Sequence, residues 1–300
     1  MSAWILLALL APGAYAGANL VDAAFARKWS KDPLGLSIAS GIMNGAFLPL
    51  TLWIDPPYWP GNHWPLLAAI GILECAYLFP YYRALQEDDT SNVASLFELG
   101  KVLTPLAAFL ISREIAAPTQ YLGFALIVGA SAALTLDVRA AGVRLRGSFG
   151  LMLLAAGCLA VQASLYKLAL DAMGWGTTFA WATALSSAFA LGTLLHPQLR
   201  RRTKRALATV RRHAFPFLAG EILTFAGTAA SSAAIAAATV TATKGIESLQ
   251  PFFVMGLTAL VGRRWPDLRN EGRARVSVGR KVACFAIAAI GAAFAVGSGT

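Results

Sequence analysis

Acidic side chains are scarce in this 300-residue chain: 15 Asp and Glu stand against 25 Lys and Arg, and charged residues total only 13%. The three cysteines, Cys75, Cys158 and Cys284, stand singly, without the paired spacing of a zinc site or disulfide frame. The three histidines, His63, His196 and His213, fall in loops or at span ends, which leaves no histidine proton relay. No Gly-rich loop ends in Lys-Ser or Lys-Thr, so no ATP site is expected. A membrane-embedded enzyme or flippase acting on lipid-linked substrates would need a nucleophile with its base, or a metal cluster. No GxSxG, paired-histidine or Asp-rich motif supplies one, and no cofactor is implied. The net charge of +10 lacks interleaved aromatics or a groove-reading element, so nucleic acid is not an expected partner.

What remains is apolar. Hydrophobic residues make up 57% of the chain and the mean hydropathy is +0.60, values of the membrane class rather than of soluble globular domains. Crossing the hydrocarbon core takes roughly 20 apolar residues as a helix. Ten runs of about that length can be drawn: 4–25, 33–54, 64–85, 91–112 and 118–136, then 148–170, 177–195, 215–237, 241–261 and 281–296. The reading is therefore an all-α polytopic membrane protein with two five-helix halves, residues 1–139 and 147–300. The eighth and ninth runs are parted only by the polar stretch from Thr239 to Thr243. Ala14-Tyr15-Ala16 resembles a cleavage site, but no positive residue precedes the apolar run, so the segment is expected to stay as the first helix.

The positive charge is loop charge on one membrane face. Joints after odd-numbered runs carry Arg27, Lys28 and Lys31; Arg83; Arg139, Arg144 and Arg146; and the seven cations from Arg200 to Arg212. The joint after the ninth run adds Arg263, Arg264, Arg269, Arg273, Arg275, Arg280 and Lys281, against Arg113 alone on the opposite face. The positive-inside rule puts the basic loops in the cytoplasm and both termini outside, in a bacterial inner membrane. The 199–210 stretch is amphipathic, with Leu199, Leu207 and Val210 on one helical face; it reads first as a topogenic loop, and otherwise as a helix lying flat on the inner leaflet, where anionic lipid attracts basic amphipathic helices. Trp4, Trp29, Trp53, Trp59, Trp64, Trp175 and Trp265 fall near run ends, as amphipathic rings do. Trp181 alone lies well inside, for helix packing or as a substrate platform.

Charges inside the apolar runs carry the functional signal, because each costs about 3 kcal/mol on the lenient insertion scale. Aligning Pro105 with Pro251 sets Glu98 on Lys244 and Lys101 on Glu247, a duplicated helix with its charges exchanged. Each pair is three residues apart and can meet along its own helix, or across the repeat. Ala18 to Ala24 aligns likewise with Ala163 to Ala169, setting Asp22 on Lys167; both are expected to reach toward the interface, as are Tyr81 and Tyr82. Equal halves with an odd number of spans are the trace of an inverted repeat. Glu74 and Glu221 occupy near-equivalent places in the third and eighth runs. A carboxylate without a counter-charge in low dielectric takes up a proton readily, which suits a coupling residue. Gln162 is expected to face the bundle. Pro12-Gly13, Pro80, Pro105, Pro216 and Pro251 each remove a backbone donor, and Gly41 and Gly45 form a GxxxG spacing for close packing.

Tyr81-Tyr82-Arg83-Ala84-Leu85-Gln86, Ser95-Leu96-Phe97, Thr104-Pro105-Leu106, Arg113-Glu114 and Gln120-Tyr121-Leu122-Gly123 with Gly129 together resemble the EamA-like branch of the drug/metabolite transporter superfamily. In the second half Tyr166-Lys167 and Leu249-Gln250-Pro251 match, whereas Arg263-Arg264 stands where an acidic residue is expected. The resemblance implies a ten-helix inverted-repeat carrier with a cavity between its halves, moving small metabolites or drugs, often outward. Members usually keep both termini in the cytoplasm, opposite to the loop charges here. The expected function is proton-coupled secondary transport of a small polar or amphipathic, amino-acid-like solute. Its path would include Glu74, Glu98, Lys101, Gln162, Trp181, Glu221, Lys244 and Glu247. A structural membrane protein would keep the ion pairs but need no cavity.

Overall fold

The computed structural model describes residues 3–87, 93, 97, 101–135, 147–261 and 278–297. Among them all regular structure is helical and no strand occurs. Six stretches are long and apolar enough to cross a membrane: Ala3–Ala24, Pro33–Ile54, Gly61–Glu87, Ser148–Met173, Trp175–Leu195 and Ala214–Ala237. The other four apolar runs fall on shorter, interrupted or partly described helices. Glu98, with Arg139, Arg144, Arg146, Arg263, Arg264, Trp265, Arg269, Arg273 and Arg275, lies outside the described residues.

In chain order the α-helices are α1 (Ala3–Ala24), α2 (Pro33–Asn44), α3 (Leu48–Ile54), α4 (Trp64–Ala76), α5 (Leu78–Glu87), α6 (Leu103–Ala107) and α7 (Pro118–Thr135). There follow α8 (Gly147–Met173), α9 (Trp175–Gly192), α10 (Pro197–Arg212), α11 (Ala214–Ala237), α12 (Val240–Glu247), α13 (Gln250–Val261) and α14 (Val278–Gly297). The eighth and ninth runs do separate: Ala238 is extended, and Thr239 caps α12 by accepting the Ala242 amide at 3.2 Å. Pro216 lies in the first turn of α11, where a missing amide costs nothing, so it is no kink.

Helices from opposite halves interleave. α1 packs along α11, α4 and α5 pack on α8, α2 on α9, and α7 on α14. With lipid as solvent, close contact of small residues holds such pairs together rather than the hydrophobic effect. Gly41 and Gly45 serve this at α2–α9. A Cβ on Gly41 would come within 3.0 Å of Ala190, and one on Gly45 within 2.5 Å of the Ser187 hydroxyl. That hydroxyl donates to the Gly41 carbonyl at 2.7 Å. The two larger buried clusters, one around Phe25, Tyr82 and Phe217 and one around Tyr166, Phe179 and Phe225, both contain side chains from each half.

Candidate functional site

Proline placement creates the site. Pro251 has no amide to offer the Glu247 carbonyl four residues back, so α12 ends there, Ser248–Leu249 turn, and α13 begins at Gln250. The carbonyl so released accepts the Lys101 ammonium from the other half, at 3.3 Å. Lys101 itself sits in a turn before α6, four residues ahead of Pro105, and its own carbonyl accepts the Thr104 amide at 2.8 Å. The two charged runs are thus interrupted at corresponding places. The third run also breaks, at Tyr77 between α4 and α5, just ahead of Pro80.

These interruptions border a central cavity of about 110 Å³. Its charged and polar wall includes Asp22, Glu74, Lys101, Gln162, Lys244 and Glu247, and its aromatic wall includes Tyr15, Tyr77, Tyr81, Phe97 and Tyr166. Lys244 donates to Glu247 Oε2 at 2.7 Å and to the Ser231 hydroxyl at 2.8 Å, while Ser231 donates to Glu247 Oε1 at 2.6 Å. Glu247 is 3% exposed and Lys101 9%. The Lys101 ammonium also lies 5.9 Å from the centroid of the Phe97 ring. The aligned positions Lys101 and Glu247 therefore do meet across the halves, through a charge on a helix-end carbonyl.

Glu74 accepts the Asn44 side-chain amide on Oε1 at 3.1 Å; its Oε2 is buried without a partner. Glu221 accepts the Ser40 hydroxyl at 2.6 Å. Ser40 and Asn44 are one turn apart on α2, so a single helix face serves both glutamates. Glu221 lies outside the central cavity, in an adjoining space of about 20 Å³ that shares Glu74, Tyr77 and Thr224 with it. Among the described residues neither glutamate has an ion-pair partner.

Three expectations change. Asp22 does not reach for the interface: Tyr81 donates to its Oδ2 at 3.3 Å and Tyr82 to its Oδ1 at 3.2 Å, with Tyr81 also donating to Asn19 at 2.8 Å. An aspartate has one methylene and cannot snorkel as lysine does, so it takes hydroxyl donors nearby. Tyr81 and Tyr82 are correspondingly buried rather than interfacial. Trp181 is not in the cavity wall: it donates to the Tyr58 carbonyl at 2.9 Å and packs edge-on against Trp59 and Trp64. Lys167 pairs at 2.9 Å with Asp171, exposed near the end of the same helix, so its reach toward that end is not overturned.

Sequence reasoning gave no structural role to two carboxylates that tie the halves together. Glu114 accepts the amides of Val240 and Thr241, at 2.7 and 3.0 Å, at the start of α12. Asp55 accepts the Gly176 amide at 2.8 Å at the start of α9. Anions are favoured at helix N-termini by the free amides and the dipole. Among the described residues no cluster of three or more His, Cys, Asp or Glu side chains could hold a metal ion.

A helical bundle with six membrane-capable stretches among the described residues and a polar chamber at interrupted helices has the architecture of an integral membrane protein. Residues 2–136 match the model of the EamA-like transporter family, a family of membrane transporters within the drug/metabolite transporter superfamily. The chain is also similar to a solved crystal structure, one of 26 matching chains, with a TM-score of 0.65 at 18% identity. That alignment covers 98% of this chain and 96% of the other, so the shared fold extends through the second half. No curated protein matches the sequence.

Proposed function

We propose that the protein is a proton-coupled secondary transporter that exports a small polar or amphipathic, amino-acid-like metabolite. It works by alternating access between two five-helix inverted repeats, residues 1–139 and 147–300. The observation that carries this reading is the cavity itself. It lies between interleaved halves, beside interrupted helices, and presents both signs of charge together with two unpartnered buried groups, Glu74 Oε2 and the Tyr166 hydroxyl. A dry structural bundle has no use for polar atoms facing an open space, since each costs about 1–3 kcal/mol unsatisfied.

The inverted repeat is supported by exchange of packing partners. Replacing each span by its counterpart five further on turns the α1–α11 contact into that of α8 with α4 and α5, and maps the α2–α9 and α7–α14 contacts onto themselves. Substrate would bind at Glu74, Lys101, Gln162, Lys244 and Glu247, where an ammonium and a carboxylate each meet an opposite charge. Glu74, on the cavity wall, and Glu221, in the adjoining space that shares Glu74, Tyr77 and Thr224 with the cavity, would be the two carboxylates that take up and release the proton. Glu98 and Trp181 were the other path residues expected; Trp181, outside the cavity wall, is better assigned to packing. The membrane is taken to be a bacterial inner membrane with the basic joints in the cytoplasm and both termini outside.

The test is uptake into proteoliposomes of a panel of amino acids, amines and nucleosides, with and without a pH gradient. Wild-type flux should respond to the gradient, and Glu74→Gln and Glu221→Gln should each abolish that response. Flux indifferent to pH in the wild type would remove proton coupling; no flux for any solute would remove transport.

A further inference from the structure

α10 stands out among the described helices by its charge: Pro197 to Arg212 holds seven cations and no carboxylate. Its inner face, Thr203, Ala206 and Val210, is buried at helical spacing and packs on α2. A Cβ on Gly35 would come within 2.9 Å of the Arg202 carbonyl, so glycine there lets the two helices approach backbone to backbone. Arg202, itself exposed, is the cation of this helix held in an ion pair, bonded to both oxygens of Asp32 at 2.7 and 2.8 Å. The other six, Arg200, Arg201, Lys204, Arg205, Arg211 and Arg212, are exposed and make no ion pair among the described residues.

The helix is held against the rest of the bundle. A 3-10 turn, Thr193–Leu195, and His196 join it to α9, His213 alone parts it from α11, and His213 stacks on Trp29 at 4.4 Å, beside the end of α1. Large apolar side chains flank the charges: Leu195 is 89% exposed, Phe215 80% and Leu207 39%. Cations at headgroup level with apolar side chains beside them are what binds an interfacial helix to an anionic leaflet. Topogenesis alone asks for positive charge in the joint, but not for a folded helix with one face seated on α2.

We propose that the outer face of α10 is a docking surface for anionic phospholipid headgroups, which fasten this end of the α2–α10–α11 unit to the membrane. The surface is independent of what the cavity carries. Full-length protein in nanodiscs of mixed phosphatidylglycerol and phosphatidylcholine, released and weighed by native mass spectrometry, should retain phosphatidylglycerol above its bulk share. That excess should fall as salt is raised, because exposed charges are screened. In R200Q/R201Q/K204Q/R205Q the excess should drop about fivefold or more. R200K/R201K/R205K keeps the charge and should keep the excess, which also guards against a folding defect in the first variant. Equal retention of the two lipids by wild type would overturn the proposal. So would an excess that survives the four neutralisations, or one that is lost in the lysine variant.

Discussion

Lys101 and Pro251 explain each other: the proline strips a carbonyl of its helical donor, and the lysine of the other half supplies one. A buried cation needs such a partner, and a buried carbonyl needs such a donor. Lys244, Ser231 and Glu247 form the second closed unit, so removing one member leaves the rest uncompensated. Glu247→Gln should lower unfolding stability in detergent by about 3 kcal/mol. Replacing Lys244 and Glu247 together by methionine should cost less than the two single changes added. Additive losses in that double-mutant cycle would show that the two side chains do not interact. The charges and prolines of this centre were legible in the sequence because both are rare in apolar runs. What pairing alone could not reveal was the Lys101 contact, since its acceptor is a backbone atom that exists only once the helix breaks. Asp22 was misread for a related reason: its donors, Tyr81 and Tyr82, come from a helix some 60 positions away.

Helix ends do much of the work at the next scale. Asp32 caps α2 by accepting the Gly35 amide at 3.1 Å and also holds Arg202 of α10. Burial pushes the Asp32 carboxyl up, but the Arg202 and Gly35 hydrogen bonds outweigh it and leave the group below its ordinary value of 3.8. The folded state therefore binds this proton more weakly than the unfolded chain. The contribution is complete above about pH 4 and disappears as pH falls through the lowered value. Arg202→Gln should accordingly reduce thermal stability at neutral pH, and the gap to wild type should close only under acid. Glu114→Ala uncaps α12 and should cost about 1 kcal/mol. Hydrogen exchange at the Val240 and Thr241 amides should quicken in that variant while α11 stays protected. Element positions followed closely from hydropathy for the first three runs, where apolar length and turn residues agree. The ninth run gave two helices instead of one, because an interior proline outweighs hydropathy.

For the molecule as a whole, the halves are interleaved rather than set side by side, which the sequence signalled only through its exchanged charges. Orientation rests on loop cations, and a cytoplasm-only reporter fused to the C-terminus should be inactive if both termini lie outside. Activity of that fusion would reverse the assignment while leaving the cavity unchanged. The two carboxylates Asp55 and Glu114, both offered by the first half, grip the starts of α9 and α12 in the second half. In the ten-span arrangement proposed above, both grips lie at the end of the bundle away from α10. If the halves part there during the proposed alternating access, both clasps must open, and a half-released state would leave helix-start amides without their carboxylate acceptors. Halves fastened this way would switch as a latch does, by one concerted unfastening instead of a gradual loosening.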